Sequence, residues 1–266
     1  MLNIVSAFKG IYHSKELILK LAKNDFWTKY AGSQFGIVWG FVQPIITILV
    51  YWFVFDIGFR VAPLNDVPYL LWLMCGLIPW FFFSEALINA TNSLMEYSYL
   101  VKKIVFKISI LPIIRVVSTL FVHLFFLVFI MYVSFLYGFQ PNIYNLQIAY
   151  YLGCMFFLVL GLSYITGSLI VFFKDLNPLI IIALQFGVWL TPIMWNPEMF
   201  NENIKKIIIL NPMYYIVEGY RDSLINNVWF WEKPFLTIYY WIVSVIIFLL
   251  GIILFKRLKP HFSDIL

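Results

Sequence analysis

Six long apolar runs, at residues 37–59, 69–95, 108–138, 148–173, 176–195 and 235–255, take up most of this 266-residue sequence. Crossing a hydrocarbon core of roughly 30 Å takes about 20 helical residues, and each run is long enough. The last three contain no Asp, Glu, Lys or Arg. Such runs predict an all-α integral membrane protein with six transmembrane helices. The gaps between them are too short for a globular domain, and with 12% charged residues a soluble protein of this size would not stay in solution. The first twenty residues are Lys-dotted and lack a compact apolar stretch with a small-residue cleavage site, so no cleaved signal is expected. Cys75 and Cys154 both fall inside apolar runs and read as small core residues, not as a disulfide framework.

The cations set the orientation. Twelve of the 18 basic residues fall before the first run, between the second and third, between the fourth and fifth, or after the sixth, and Arg115 lies just inside the third on the same side. The opposite side carries Arg60, Lys205, Lys206, Arg221 and Lys233, outnumbered by seven acids. Both termini are therefore expected in the cytoplasm. The net charge of +5 follows from this bias and from attraction to anionic lipid, so nucleic acid is not an expected partner.

Three segments outside the runs have character of their own. In residues 1–34, Ile4, Phe8 and Ile11, then Leu17, Ile18 and Leu21, recur at helical spacing with the lysines largely off that stripe, as in a helix lying in the cytoplasmic interface. Residues 35–266 then form one transmembrane domain. Its segment 89–107 turns from polar to basic and brings Tyr97, Leu100 and Lys103 near one another on a helix, a face suited to a cytosolic protein. The longest external segment, 196–233, carries Asn196-Pro197 and Asn211-Pro212. Asn as N-cap with Pro in the first turn is a helix-start signature. The spacing predicts two short helices, over 197–209 and 212–226, too short to span and too apolar for water: a re-entrant pair.

Glu85 and Arg115 stand within consecutive runs. A central charge costs about 2.5–3.5 kcal/mol on insertion scales, so the two are expected to pair, or to line a hydrated vestibule, unless Arg115 snorkels alone to the headgroups. His123 has no second His or carboxylate at ligand spacing and reads as an interior histidine. No metal site, catalytic constellation or GxxxxGK[ST] loop appears. Aromatic residues reach 21%. Tyr51, Phe55, Phe186 and Trp189 sit deep in the first and fifth runs, where ring faces suit the C–H face of a sugar, or equally a flat drug, and make them channel-lining candidates.

Around the first run the sequence becomes specific. Lys23-Asn24-Asp25, Lys29-Tyr30, Gly32-Ser33, Gly36, Trp39 and Pro44 resemble the corresponding motif in permease subunits of type-2 ABC exporters of O-antigen, capsular polysaccharide and teichoic acid. The resemblance continues through Gly76-Leu77, Trp80-Phe81-Phe82, Leu100-Val101-Lys102-Lys103, Leu111-Pro112, Lys174-Asp175, Thr191-Pro192-Ile193, Asn211-Pro212 and Tyr220-Arg221. It departs at Asn24, Lys107 and Lys174, where a basic residue, a proline and an arginine are common.

The resemblance implies a homodimer enclosing a channel and two copies of a separate cytosolic ABC ATPase subunit. ATP and Mg would be bound there, and this chain would hold no cofactor. It makes 89–107 the coupling segment, with Glu96, Tyr97, Tyr99, Leu100, Lys102 and Lys103 as contacts to the ATPase. The expected substrate is a lipid-linked glycan, with membrane lipid around it. Lys23, Asp25, Lys29, Tyr30 and Trp39, where the interfacial helix meets the first span, are expected to gate the lipid headgroup. A type-2 pump for drugs or peptides shares the fold. A membrane enzyme of glycan assembly is the alternative from another class, and no catalytic activity is expected here.

Overall fold

The computed structural model describes residues 14–32, 34–60, 67–101 and 106–266, and in these all the regular elements are helices joined by short turns. In chain order the helices are α1 (Lys15–Tyr30), α2 (Trp39–Trp52), α3 (Tyr69–Glu96), α4 (Ser98–Val101), α5 (Leu111–Leu136), α6 (Gln147–Ile170), α7 (Leu176–Leu190), α8 (Glu202–Ile209), α9 (Pro212–Arg221), α10 (Pro234–Leu258) and α11 (Phe262–Ile265). Among the described residues, five helical stretches, Gly36–Gly58, Tyr69–Glu96, Ile108–Leu136, Ile143–Ile170 and Pro234–Ile265, are long and apolar enough to cross a membrane. The chain is a multi-pass membrane protein.

The fifth apolar run differs from the expectation of a full-length span. Its helix α7 has 15 residues, about 22 Å at 1.5 Å per residue. It ends at Leu190 because Thr191 is extended and Pro192 follows; the rest of the run, to Trp195, is a turn.

α3 is the centre of the bundle. Apolar on nearly every side, it buries Leu71, Leu73, Met74, Leu77 and Ile78 among others and packs against α5, α6, α7, α9 and α2. A helix apolar all round belongs in an interior. α6 and α10 pair along their length through glycines: a Cβ on Gly251 would lie 2.6 Å from the Gly161 carbonyl oxygen, and one on Gly161 would lie 3.0 Å from the Phe248 backbone. Close approach of two backbones replaces the hydrophobic drive that lipid does not supply.

α2 stands at the edge, with Ile48 its sole buried residue. Its exposed apolar side includes Ile46, Leu49 and Val50. The turn from α1 into α2 needs Gly36, whose φ of +51° is costly for a side-chain-bearing residue.

The 196–233 segment begins later than expected. Asn196 caps only the 3₁₀ turn Pro197–Met199, and the first helix starts at Glu202, where Asn201 accepts a hydrogen bond from the Ile204 amide at 3.0 Å. Two cap-forming residues precede the apolar stretch, and the nearer one opens the helix. The second helix begins at Pro212 as expected, with the Met213 amide donating to Asn211 Oδ1, and runs on through a π-helical turn to Asn226. α9 buries Met213, Ile216, Val217 and Tyr220 against α3 and α6. Cys75 and Cys154 are free and buried.

Candidate functional site

Two ion-pair clusters fasten α1 to the bundle. Ile18, Ala22 and Asp25 recur every three to four residues and are its buried positions, facing α5. That spacing puts one carboxylate, 6% exposed, on an otherwise apolar stripe, where a lone charge would be costly. Arg115, one turn into α5, compensates it: Nη1 lies 2.6 Å from Asp25 Oδ1. The Tyr97 hydroxyl, just past the end of α3, donates to the same oxygen at 2.6 Å. Burial first, then the Asp25 carboxylate, pushes the Tyr97 hydroxyl well above the ordinary tyrosine value, so it remains a donor. The other guanidinium nitrogen pairs with Glu96, and the plane lies 4.8 Å from the Tyr97 ring centre. One arginine thus joins α1, α5 and the end of α3.

The second cluster is one turn along α1, where Lys29 pairs with Glu85 in mid-α3. Burial works against the ammonium, but the Glu85 carboxylate outweighs it and holds Lys29 above its ordinary value. Tyr30 then leans onto α2. Gly40 admits its ring, since a Cβ there would lie 2.5 Å from the Tyr30 hydroxyl oxygen. Between α1, α2 and α3 opens a cleft of about 350 Å³, lined by Lys29, Tyr30, Trp39, Gln43, Ser84 and Glu85 with several apolar neighbours.

Glu85 and Arg115 therefore do not pair with each other, contrary to expectation. Asp25 and Lys29, one turn apart on α1, insert between them, and each intramembrane charge takes its partner there. Of the residues expected at the headgroup gate, Lys29, Tyr30 and Trp39 meet at the cleft, Asp25 lies one turn away, and Lys23 is exposed. In the 89–107 segment Glu96 and Tyr97 belong to the Arg115 cluster. Tyr99 is 59% exposed on the short α4, Leu100 is partly buried, and Lys102 and Lys103 lie outside the described residues. Among the deep aromatics, Tyr51 and Trp189 come together with ring centres 6.5 Å apart. Phe186 is exposed on α7, whereas Phe55 turns toward Phe59 and Tyr69.

A third cluster, at the α9 end, was not anticipated from sequence. Arg221 is 2% exposed, pairs with Glu218 at 2.6 Å, and lies 3.5 Å from the Trp72 ring centre. Next to it, Lys233 pairs with the buried Asp222. The spacing of Glu218 and Arg221, one helical turn apart, was the available signal. His123 is interior as expected, sharing a 2.9 Å hydrogen bond with the Tyr220 hydroxyl.

Residues 16–225 match the family of ABC-2 type transporters. An O-antigen export system permease protein, RfbA, of Klebsiella pneumoniae is 28% identical over 254 residues, 94% of this chain and 95% of that protein. The O-antigen export system permease protein RfbA of Myxococcus xanthus is 23% identical over 220 residues, covering 82% and 84% of the two chains.

Proposed function

Because the chain belongs to the ABC-2 type transporter family, we propose that it is the permease subunit of an ATP-driven exporter that moves a lipid-linked polysaccharide across the cytoplasmic membrane. The observation that carries this reading is near end-to-end similarity to permeases named for O-antigen export, over 94% of this chain. In this reading both termini are cytoplasmic, and two copies of the chain work with two copies of a cytosolic ATPase that binds ATP and Mg.

The ATPase docks on the end of α3 and on α4, where Glu96 and Tyr99 are accessible. Displacing Glu96 and Tyr97 pulls on Arg115 and, through it, on Asp25 of α1. Rigid helices carry such a displacement because charge-assisted hydrogen bonds are short and directional. Movement of α1 then opens or closes the cleft at Tyr30 and Trp39, the gate for the lipid headgroup. The exposed sides of α2 and α7, with Tyr51, Phe186 and Trp189, face the second copy and the passage between the two. Phe55, turned toward Tyr69, supports the α2–α3 contact instead.

Two experiments test the reading. Mild-detergent purification of the tagged permease should recover a stoichiometric ABC ATPase by mass spectrometry, and recovery of the permease alone after gentle crosslinking counts against it. Deleting residues 1–22 should abolish glycan export while membrane insertion persists; wild-type export would remove α1 from the mechanism.

A further inference from the structure

We infer that the cleft between α1, α2 and α3 is a saccharide subsite, holding the sugar ring next to the lipid carrier, and that it is not a diphosphate site. This rests on the export reading above.

The charges in the cleft decide between the two chemistries. Its one cation among the described residues, Lys29, is already paired with Glu85. A diphosphate entering here would have to displace a carboxylate and then sit beside it. Phosphate recognition calls for several uncompensated donors, typically arginine forks. Arg115 is not among the lining residues and already holds Asp25 and Glu96.

What the cleft offers instead is hydroxyl recognition. Glu85 accepts, Lys29 donates, Ser84, whose hydroxyl donates to the Phe81 carbonyl at 3.2 Å, accepts, and Gln43 does both through a planar amide. Gln43 is exposed at the cleft and its side chain has no hydrogen-bond partner among the described residues, so its amide is free to meet a ligand. Two aromatic side chains, Tyr30 and Trp39, supply ring faces, negative at the centre, for the C–H groups of a pyranose. Trp39 is 47% exposed, so its ring is available. At about 350 Å³ the cleft is at the small end of ligand pockets, which run about 300–1,000 Å³. That suits a ring or two, not a polymer.

The subsite has a test whose sign separates the chemistries. The full permease in lipid nanodiscs is titrated with a short polyprenyl diphosphate carrying one hexose, and with the same polyprenyl diphosphate lacking the sugar. The hexose-bearing probe should bind about tenfold more tightly, as expected for one or two added hydrogen bonds. Gln43→Ala should erase that advantage and leave the sugarless probe unchanged, and Glu85→Gln should erase it without tightening either probe. Gln43→Ala breaks no side-chain hydrogen bond among the described residues, so loss of folding does not confuse its result. A diphosphate site predicts the opposite for Glu85→Gln: both probes bind more tightly once the carboxylate is neutralised. That outcome, equal affinity of the two probes, binding of neither, or a sugar advantage untouched by both variants overturns the subsite. Glycan export that continues alongside such a result would leave the export reading intact, whereas absence of export and of an ATPase partner would sink that reading itself.

Discussion

Substituting Arg115 by alanine strands the Asp25 carboxylate, 6% exposed, between α1 and α5. Breaking a buried ion pair by removing one partner costs about 3–5 kcal/mol. Asp25 keeps the Tyr97 hydroxyl at 2.6 Å, and a hydrogen bond to a charged group is worth about 1.5–3 kcal/mol, which places the cost at the low end. The Glu96 side chain is 52% exposed, so losing that pair adds under about 1 kcal/mol. The total is about 3 kcal/mol. It falls on the docking of α1, because undocking lets Asp25 reach water, and local opening of this kind draws on the stability of one element only. At 1.4 kcal/mol per decade the undocked population rises roughly a hundredfold.

The readout is Ile18, 5% exposed on the buried face of α1. With Cys75 and Cys154 replaced by alanine, Ile18→Cys is labelled in vesicles with a water-soluble maleimide. Arg115→Ala should raise its labelling rate about a hundredfold, and adding Asp25→Asn should recover most of the protection by removing the stranded charge. Labelling within threefold of the Arg115 background would refute the argument that this ion pair holds α1. A double variant as open as the single one would show that the stranded carboxylate is not the cause.

Other outcomes follow from the packing and from the α9 cluster. Gly251→Ala would force a Cβ to within 2.6 Å of the Gly161 carbonyl oxygen, so the α6–α10 pair must separate at about 1–3 kcal/mol; thermal unfolding in detergent should fall measurably, and an unchanged midpoint contradicts the close crossing. Arg221→Lys keeps a charge for Glu218 but loses the planar stack on Trp72. It should cost about 1–2 kcal/mol in the same assay, and an unchanged midpoint contradicts the stack.

The membrane class of this chain, its helices and the start of α9 were legible in the sequence, because each depends on local chemistry. Run length against bilayer thickness marks a span, and Asn211 before Pro212 marks a helix start whatever surrounds it. Locality also explains the error at Asn196: Asn196 and Asn201 are both competent caps, and no local rule says which one the helix uses. The partners of the charged residues lay beyond such rules. Glu85 and Arg115, on consecutive helices, looked matched, yet Lys29 and Asp25 reach them from 56 and 90 positions away in the chain. Within the bilayer a helix such as α3 or α10 is apolar on nearly every side, so periodicity does not say which face meets which neighbour. That choice belongs to packing: where glycines let backbones touch, which helix occupies the centre, and where α1 comes to rest. Only after the helices assemble do Asp25, Glu96, Tyr97 and Arg115 meet, because a buried charge takes the partner that tertiary geometry brings within hydrogen-bonding reach.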